Sequence, residues 1–505
     1  MRVVRACRDL GLGAVAVFSE CDRGARHVRM ADEAVALGGN APADSYLRID
    51  HIVHAARVSG ADAIHPGYGF LSENADFARA CRDAGLTFIG PTPEAVARVG
   101  SKTTARQIAA AAGVPVVTGT ELPFGPGASV DELALAAARI GYPVLIKAVA
   151  GGGGKGMRVV ASPEELEGAI RLARSEAATA FGDSSVYLER YLQRPRHVEI
   201  QILADHHGNI TPFVERECSI QRRHQKVLEE SPSPAVGTAL RTRLADAAVA
   251  VAAKAEYTNA GTVEFLLDED DHFYFLEVNA RLQVEHPVTE MVAGIDLVQW
   301  QIRIARGETL TLSPADTLTP MGHAIECRVY AEDPDMGFLP SPGHISALRA
   351  PYGPGVRDDG WVEQGTEIPI YYDSLLSKVI VWGEDRAQAT ARMRRALMEY
   401  EIGGVRSTLP FSRWLLSRPE FVEARFHTGF LDGLLQRRAG EPFEEVDSSL
   451  EEVAAVAACV VEASTSAKAR VLAPTVHASQ ARGPDESESL ERSWKARARK
   501  ESLRQ

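Results

Sequence analysis

The sequence has few cysteines, and their spacing excludes the structures that cysteine usually builds. Six are scattered through 505 residues, and no pair is separated by two residues: Cys7, Cys21, Cys81, Cys218, Cys327 and Cys459. A zinc site needs closely spaced ligand pairs, and a disulfide framework belongs to short secreted chains. We therefore expect neither kind of site, and we expect a reducing compartment.

Positive charge and long apolar runs are also scarce. The net charge is −13, which argues against a nucleic-acid-binding protein. The apolar run 11–18 is short and is followed at once by Glu20 and Asp22, so it is neither a signal peptide nor a membrane span. The length suggests about two to four domains. The sequence therefore predicts a cytoplasmic enzyme with no membrane or nucleic-acid partner.

The most informative stretch runs from residue 276 to residue 285 and alternates without interruption. Its apolar residues are Leu276, Val278, Ala280, Leu282 and Val284, and its polar residues are Glu277, Asn279, Arg281, Gln283 and Glu285. In an extended strand the polar residues would share one face, which is either an ordinary solvated face or a functional surface. The chemistry favours the second reading, because carboxylates and an amide suit Mg²⁺ and a guanidinium suits a small oxyanion.

Another carboxylate lies just upstream. Residues 262–267 and 272–276 are predicted strands joined by the acidic turn 268–271. If the acidic residues form the loop, Leu267 pairs with His272, and Glu264 lies opposite Phe275. Glu264 is then a diagonal neighbour of Glu277 at roughly 7–8 Å, close enough for Mg²⁺ to bridge both to a nucleotide phosphate. We predict that this hairpin is the floor of a catalytic site.

The first hundred residues alternate helix-like and strand-like segments, which predicts a parallel βαβ sheet. The segments are 2–10, 14–19, 52–58, 61–65, 74–84 and 87–89. The first is a helix, so the strand that normally opens such a domain is expected to be missing or supplied otherwise. The turn from His65 to Asn74 follows a strand, where open α/β sheets bind ligands, but plain turn chemistry explains it equally well.

The next region contains helices predicted at 104–112 and 130–139 and a hairpin of strands at 142–148 and 157–160. The hairpin tip is the run Gly151, Gly152, Gly153, Gly154, Lys155 and Gly156. It is not a P-loop, because a strand follows and no Ser or Thr comes after the Gly-Lys pair. It is either a lid over phosphates or a flexible turn. Lys147, in an apolar strand, is expected to pair with an anion or else to extend its amine to solvent.

Alternation also predicts strands at 186–192, 197–203 and 322–330, and the step between the first two is expected to offer backbone groups to an adenine ring. The cation-rich segment 215–226 is either a solvated face or a partly packed segment that presents cations inward. A long helix is predicted at 386–401. Beyond residue 438 the composition shifts, and we expect a mostly disordered tail with docking helices, one of them at 450–463.

Taken together, these motifs resemble biotin carboxylase, the ATP-grasp component of biotin-dependent carboxylases. The resemblance covers about residues 1–437 and rests on HPGYGFLSEN from His65, GGGGKGM from Gly151, RHVEIQ from Arg196, ERECSIQRRHQK from Glu215, EVNARLQVEHPVTE from Glu277 and GHAIECR from Gly322. It implies a mixed α/β and α+β fold. The domains would be an N-terminal doubly wound parallel-sheet domain (1–101), an ATP-grasp domain (102–311) with a glycine-rich lid at about 119–191, a β-rich C-terminal domain (312–437) and the tail (438–505).

The resemblance also implies an activity. ATP and bicarbonate would give carboxyphosphate, whose CO₂ passes to N1 of biotin on a carrier protein. This would be the first half-reaction of acetyl-CoA carboxylase, in fatty acid biosynthesis, or of another acyl-CoA or pyruvate carboxylase. The implied partners are a biotin carboxyl carrier protein, a second copy of the chain and a carboxyltransferase subunit.

Particular residues acquire roles from the same resemblance. The residues that would contact ATP are the glycine run 151–156, Lys102, Lys147, Met157, Glu189, Arg190, Leu192, His197, Gln221, His224 and Leu266. Those that would bind Mg²⁺ or Mn²⁺ are Glu264, Glu277 and Asn279. Bicarbonate would be held by Arg281, Gln283 and Val284 and deprotonated by Glu285. Lys226 would steady the transferring phosphate, Arg328 would stabilise the biotin enolate, and Tyr68 would lie near biotin.

Two features depart from the family pattern. The opening strand and its N-R-G-E-I-A turn are missing before the helix at 2–10, which is expected to affect stability more than chemistry. The tail lacks the Met-Lys-Met biotin attachment motif, so biotin is expected to arrive on another chain.

Two alternative functions stay open. Another ATP-grasp ligase would keep Glu264, Glu277 and Lys147 but would not need Arg281, Glu285 or Arg328. A non-catalytic nucleotide-binding scaffold would need none of these reactive groups.

Overall fold

The computed structural model describes residues 1–120, 122–149, 157–438, 440–444 and 452–461. The chain divides into two units, Met1–Glu444 and Glu445–Gln505. Within the second unit, residues 452–461 form a helix, inside the range predicted for one. The predicted glycine-rich tip at 151–156 and the rest of the tail lie outside the described residues. Among the described helices, none is long and apolar enough to cross a membrane.

The N-terminal part alternates helices and strands as predicted. Its helices are α1 (Arg2–Asp9), α2 (Arg26–Met30), α3 (Ile49–Ser59), α4 (Ala75–Asp83) and α5 (Pro93–Gly100), and its strands are β1 (Val15–Ser19), β2 (Glu33–Gly38), β3 (Ala63–Ile64) and β4 (Thr87–Phe88). β1 pairs with β2 and β3 pairs with β4, both in parallel. A cavity of about 880 Å³ is lined by both pairs, with Val15 and Val17 from β1 and Ala63 and Ile64 from β3. Where the sequence predicts one parallel sheet, the described residues therefore form two separate pairs.

A small sheet covered by two helices follows. The elements are α6 (Lys102–Ala111), α7 (Val130–Ile140), β5 (Val144–Ala148), β6 (Met157–Val160), α8 (Pro163–Phe181) and β7 (Val186–Arg190). The strands pair antiparallel in the order β6, β5, β7. Leu133 of α7 and Ile170 of α8 pack against Ile146 of β5 in one apolar cluster. This packing fixes β5 and β7, which carry Lys147 and Glu189.

The remaining elements are built around a larger sheet. They are β8 (Arg196–Ala204), β9 (Ile210–Pro212), β10 (Arg216–Arg222), β11 (Gln225–Ser231), α9 (Thr238–Lys254), β12 (Asn259–Leu267), β13 (Phe273–Asn279), α10 (His286–Ala293), α11 (Leu297–Ala305), α12 (Pro314–Thr317), β14 (His323–Tyr330), β15 (Glu332–Asp333), β16 (Leu339–Pro340), β17 (Gly343–His344), β18 (Ala347–Arg349), β19 (Val356–Asp358), β20 (Glu367–Ile368), β21 (Leu375–Gly383), α13 (Arg386–Glu399), β22 (Glu401–Gly403), α14 (Leu409–Leu416), α15 (Pro419–Val422) and α16 (Phe430–Arg438).

Strands of both the central and the C-terminal segments join in this sheet. Its order is β13, β12, β8, β10, β11, β14, β21, β19, with β9 on β8. The predicted domain boundary between residues 311 and 312 is crossed by hydrogen bonds of the sheet, because β11 pairs antiparallel with β14. Residues from both segments can therefore lie on one continuous surface.

Strand β8 shows why this sheet can carry a buried polar site. Val198, Ile200 and Ile202 join the apolar core on one face. Glu199 and Gln201 alternate with them, point to the other face, and are also fully buried. The alternation therefore marks a polar interior surface, since a solvated face would leave these side chains exposed.

The strand predicted at 276–285 is shorter than the alternation suggests. β13 ends at Asn279, and α10 begins at His286 with Pro287 in its first turn, where proline is well tolerated. The backbone N–H of Ala280 donates to Glu73 at 3.0 Å, and this contact lies where the strand has ended. The prediction that Arg281, Gln283 and Glu285 share a strand face with Glu277 is wrong, because these residues lie in the loop before α10.

The predicted hairpin register is also wrong, by one residue at the turn and by two residues at Glu264. Leu267 pairs with Phe273 instead of His272, and a bulge between Glu264 and Phe265 leaves Leu276 as an extra residue. Glu264 therefore lies directly opposite Glu277. This arrangement brings the two carboxylates closer than the predicted diagonal relation would.

Candidate active site

Lys226 on β11 lies at the centre of a cluster of buried carboxylates. Its ammonium is 2.6 Å from Glu199, 3.0 Å from Glu264 and 2.6 Å from Glu285. Burial lowers the pKa of Lys226, but the three carboxylates outweigh burial and hold that pKa well above its usual value. The lysine is therefore charged, and it joins residues of β8, β12 and the loop before α10.

Glu285 is held between two cations. One carboxylate oxygen contacts Lys226, and the other lies 3.0 Å from Arg328 on β14. Arg328 also contacts Glu229 at 2.6 Å, and burial raises the pKa of Glu229 to about 7. Burial also raises the pKa of Glu285, but Lys226 and Arg328 lower it more, to well below its usual value. Glu285 is therefore ionised at neutral pH.

Glu264 and Glu277 form a pair of facing carboxylates beside an amide. They are direct partners across β12 and β13, and the Asn279 amide donates to Glu264 at 2.9 Å. His197 contacts the other oxygen of Glu264 at 2.9 Å. Burial raises the pKa of Glu277, and the nearby charge of Glu264 raises it further because two like charges repel each other. Two carboxylates and an amide oxygen fit a divalent cation, and such a cation would relieve this repulsion.

The loop before α10 brings the predicted bicarbonate residues together. Arg281 donates to Gln283 at 2.9 Å and to Asn279 at 3.1 Å. The same guanidinium pairs with Glu73 at 2.9 Å, which ties the loop to the segment predicted as a ligand turn. Val284 accepts a hydrogen bond on its main-chain oxygen from Lys378 at 2.6 Å. Arg281, Gln283 and Glu285 therefore lie along one short loop, although they do not share a strand.

A second cationic group lies on the small sheet. Lys147 pairs with Glu189 at 2.5 Å, and its side chain is 11% exposed, so it is an ion pair and does not extend its amine to solvent. Arg106 of α6 pairs with the same carboxylate. Lys102 begins α6, and burial lowers its pKa. Lys147 and Arg106 therefore converge on one carboxylate, and Lys147 is close enough to Lys102 to affect its charge.

The other predicted nucleotide residues lie on several elements. Gln221 of β10 contacts His197 at 2.7 Å, so these two are together. His224 lies in the turn between β10 and β11, and Leu266 lies on β12. Met157 begins β6, Arg190 ends β7, and Leu192 lies in the segment after β7. Burial lowers the pKa of His224. Tyr68, predicted near biotin, is 39% exposed, and its ring lies 5.8 Å from the Lys378 ammonium.

Sequence reasoning missed the residues that support the cluster. Arg216 is fully buried and pairs with Glu199, and it donates to Gln201 and Thr289, both at 2.9 Å. Burial lowers the pKa of Arg216, but Glu199 and other carboxylates raise it overall. The same alternation that singled out Glu277 also runs through Glu199 and Gln201, so it could have identified both. The segment 215–226 proves to be partly packed: Arg216 and Lys226 point inward, whereas Arg223 and His224 at its turn are exposed.

Three family models match the chain in order. They are the Biotin carboxylase, N-terminal domain over residues 1–96, the Carbamoyl-phosphate synthase L chain, ATP binding domain over 101–313, and the Biotin carboxylase C-terminal domain over 326–433. An ATP-binding domain between two biotin carboxylase domains defines the class of the protein as an ATP-dependent carboxylase component.

Relatives of known name match over most of the chain. Biotin carboxylase of Nostoc sp. is 53% identical over 85% of this chain and 96% of its own, and biotin carboxylase 1 of Bacillus subtilis is 51% identical over 86% and 95%. Among solved structures, biotin carboxylase from Campylobacter jejuni matches with a TM-score of 0.82 at 44% identity, covering 86% of this chain and 96% of that one. The chain belongs to the biotin carboxylase family.

Proposed function

We propose that this chain carboxylates biotin carried on a partner protein, with MgATP and bicarbonate as co-substrates. Membership of the biotin carboxylase family supports the activity. The biotin carboxylase domain of Hydrogenobacter thermophilus 2-oxoglutarate carboxylase, 45% identical with a TM-score of 0.83 over 88% of this chain and 96% of that one, was solved with MgADP, ADP and bicarbonate. One observation carries the assignment of roles: the Glu285 carboxylate lies between Lys226 and Arg328.

Bicarbonate becomes a nucleophile when Glu285 takes its proton while Arg281 and Gln283 orient it. The lowered pKa of Glu285 makes it a weak base while Lys226 contacts it. When Lys226 turns toward the transferring phosphate, its effect on Glu285 weakens, and the pKa of Glu285 rises. The arrival of the phosphate would thus activate the base.

Phosphoryl transfer depends on positioning and on neutralising charge. An oxygen of bicarbonate attacks the γ-phosphorus as the bond to ADP breaks, and carboxyphosphate forms. Lys147, Lys102 and His197 would hold the phosphates, together with the glycine run 151–156. Bound by Glu264, Glu277 and Asn279, Mg²⁺ or Mn²⁺ would supply the charge that the developing phosphoryl oxygens need. Lys226 would steady the phosphate from the opposite side.

Biotin takes up the CO₂ that carboxyphosphate releases. Arg328 would stabilise the biotin enolate, because its guanidinium is fixed by Glu229 and Glu285 beside the bicarbonate site. Tyr68 would lie near the biotin ring. We propose that biotin reaches the site on a separate carrier protein.

We propose further that the chain is the C–N-bond-forming ligase of a cytoplasmic complex that also contains a carboxyltransferase, and that it acts as a homodimer. Acetyl-CoA, for fatty acid biosynthesis, is the acceptor that we would test first. The relatives also include components of a pyruvate carboxylase from Methanothermobacter thermautotrophicus and of a mouse methylcrotonoyl-CoA carboxylase, so the family serves several acceptors.

The test is ADP release from the purified chain with Mg-ATP and bicarbonate, with and without high free biotin. We expect turnover that requires bicarbonate and rises with biotin. ATP hydrolysis driven by another carboxylic acid, and not by bicarbonate, would instead identify a different ATP-grasp ligase. Nucleotide binding without turnover in any of these mixtures would identify a scaffold.

A further inference from the structure

Lys378 is a buried lysine whose ammonium contacts the main chain of the active-site loop. It lies in the middle of β21, and its residue is 3% exposed. Its Nζ donates to the Val284 main-chain oxygen at 2.6 Å and lies 3.8 Å from Asp359. A buried ammonium is expensive without partners, so this placement requires an explanation.

The bond falls on the peptide that joins Val284 to Glu285. The Val284 oxygen belongs to this peptide, and therefore its direction sets how the Glu285 backbone, and then the Glu285 side chain, enters the site. Among the described contacts, residues 280–285 have no strand partner, and their oxygens accept turn-like main-chain bonds only at Gln283, from His286 at 3.3 Å, and at Glu285, from Val288 at 3.3 Å. Their orientation consequently depends on contacts such as this one.

Lys378 also belongs to a two-point attachment of the loop and α10. Arg357 pairs with Asp359 at 2.7 Å and with Glu290 of α10 at 2.8 Å. The paired strands β19 and β21 therefore contact both sides of Glu285: Lys378 of β21 contacts the residue before it, and Arg357 of β19 contacts the helix after it. A loop held at both sides loses much of its freedom to turn.

Lys378 also lies near the two residues that we propose to act on biotin. Its direct partner across β14 and β21 is Arg328, and the Tyr68 ring lies 5.8 Å from its ammonium. Glu326 lies nearby on β14, and within the described residues neither of its carboxylate oxygens has a hydrogen-bond partner. Burial lowers the pKa of Lys378, but Glu326, Tyr68 and Asp359 raise it overall, so the side chain is charged.

We propose that Lys378 is a positioning residue for biotin carboxylation: its ammonium fixes the peptide between Val284 and Glu285 and thereby aligns the base with bicarbonate. The inference rests on the proposed function. It assigns Lys378 no contact with a reacting atom. It predicts that the loss of Lys378 affects bicarbonate use far more than ATP use.

The experiment compares bicarbonate-dependent ADP release in wild type, Lys378→Met and a control. Misplacing a catalytic group by about 1 Å can cost about 10²-fold, so we expect Lys378→Met to lower kcat/KM for bicarbonate by about 10²-fold. The KM for ATP should change by less than about threefold, because Lys147 and Glu189 lie on another sheet. The matched control is Arg394→Met, since Arg394 also donates to a main-chain oxygen, that of Leu416, away from the site. It should affect the melting temperature and neither KM.

A folded Lys378→Met protein with bicarbonate kinetics within about threefold of wild type would overturn the proposal, as would a rise in the KM for ATP as large as the fall in kcat/KM for bicarbonate. If this variant does not fold, Lys378→Gln decides, because the glutamine amide is polar but too short to reach Val284. It should show the same fall in kcat/KM for bicarbonate with an unchanged KM for ATP, and a matching rise in the KM for ATP would again overturn the proposal. Absence of bicarbonate-dependent turnover in wild type would instead refute the proposed function.

Discussion

Replacing Glu285 with glutamine tests the proposed base directly. Glu285 is fully buried, with one oxygen 2.6 Å from Lys226 and the other 3.0 Å from Arg328. Glutamine has nearly the same shape and keeps one oxygen, but it carries no charge and cannot take up a proton under these conditions. The change therefore separates proton transfer from packing.

The magnitude follows from the contacts that remain. General-base catalysis contributes about 10²–10⁴-fold, so kcat should fall by that factor, or about 3–5 kcal/mol in the barrier. An unpaired buried charge costs about 3–5 kcal/mol of stability, but Lys226 keeps Glu199 and Glu264, and Arg328 keeps Glu229. The loss of stability should therefore be smaller than that, and the protein should stay folded.

The assay measures ADP release at saturating bicarbonate, together with the Kd for ATP from a direct titration. The Kd should be unchanged within about threefold, because Lys147 and Glu189 are on another sheet. The control is Glu215→Gln: Glu215 is also buried and pairs with an arginine, Arg241, at 2.7 Å, but outside the site, so this variant should keep its turnover. Near-normal turnover of Glu285→Gln would refute the assignment of the base.

Three further predictions concern ATP, pH and metal. Lys147→Met removes a charge-assisted contact, so the Kd for ATP should rise about tenfold or more in the same titration; an unchanged Kd would exclude Lys147 from the phosphate site. His65 accepts from the Gly67 N–H at 3.0 Å and contacts Gln301 at 3.1 Å, and burial lowers its pKa to about 4, so protonation favours the unfolded chain. The stability that neutral His65 contributes is fully present above about pH 6.5 and is lost as the pH drops to about 4. In urea unfolding, the free energy of unfolding of the wild type should therefore fall by about 3 kcal/mol relative to that of His65→Gln over this range. A difference between the two proteins that does not change with pH would contradict this prediction. Chelation with EDTA should stop ADP release, excess Mg²⁺ or Mn²⁺ should restore it, and turnover that persists in EDTA would contradict the metal site.

Local patterns predicted most elements of the fold to within a few residues. The helix expected at 104–112 is α6, and the strand expected at 322–330 is β14. The alternating pattern gave a wrong prediction where a contact with a residue far away in the sequence determines the local structure. The segment after Asn279 continues the strand pattern in sequence, yet its backbone bonds to Glu73, more than 200 residues away in the chain. No pattern within a short window contains that information.

The register of the hairpin failed for a related reason. The turn between the strands is one residue longer than its four acidic residues, and the bulge at Leu276 adds one more residue to β13. Nothing in the composition of the two strands marks either position. The chemistry of the site was easier to predict than its geometry, because carboxylates, amides and cations can be recognised one residue at a time. The supporting residues Arg216 and Lys378 could not be recognised in this way, since each acts through a residue on another strand or loop.

The buried network also connects the residues that we propose for metal binding with those that we propose for phosphate binding. Lys226 and His197 now contact Glu264 at 3.0 Å and 2.9 Å, so the protein's own side chains occupy the carboxylate that the proposed metal would need. Glu264 would become free for a divalent cation if those two side chains turned to other partners, and the phosphates of ATP would offer such partners. If Lys226 turned to phosphate, it would also loosen its contact with Glu285, and this change would make Glu285 the better base that we propose. We therefore expect nucleotide, metal and base activation to depend on one another through Lys226, because one ammonium links all three groups.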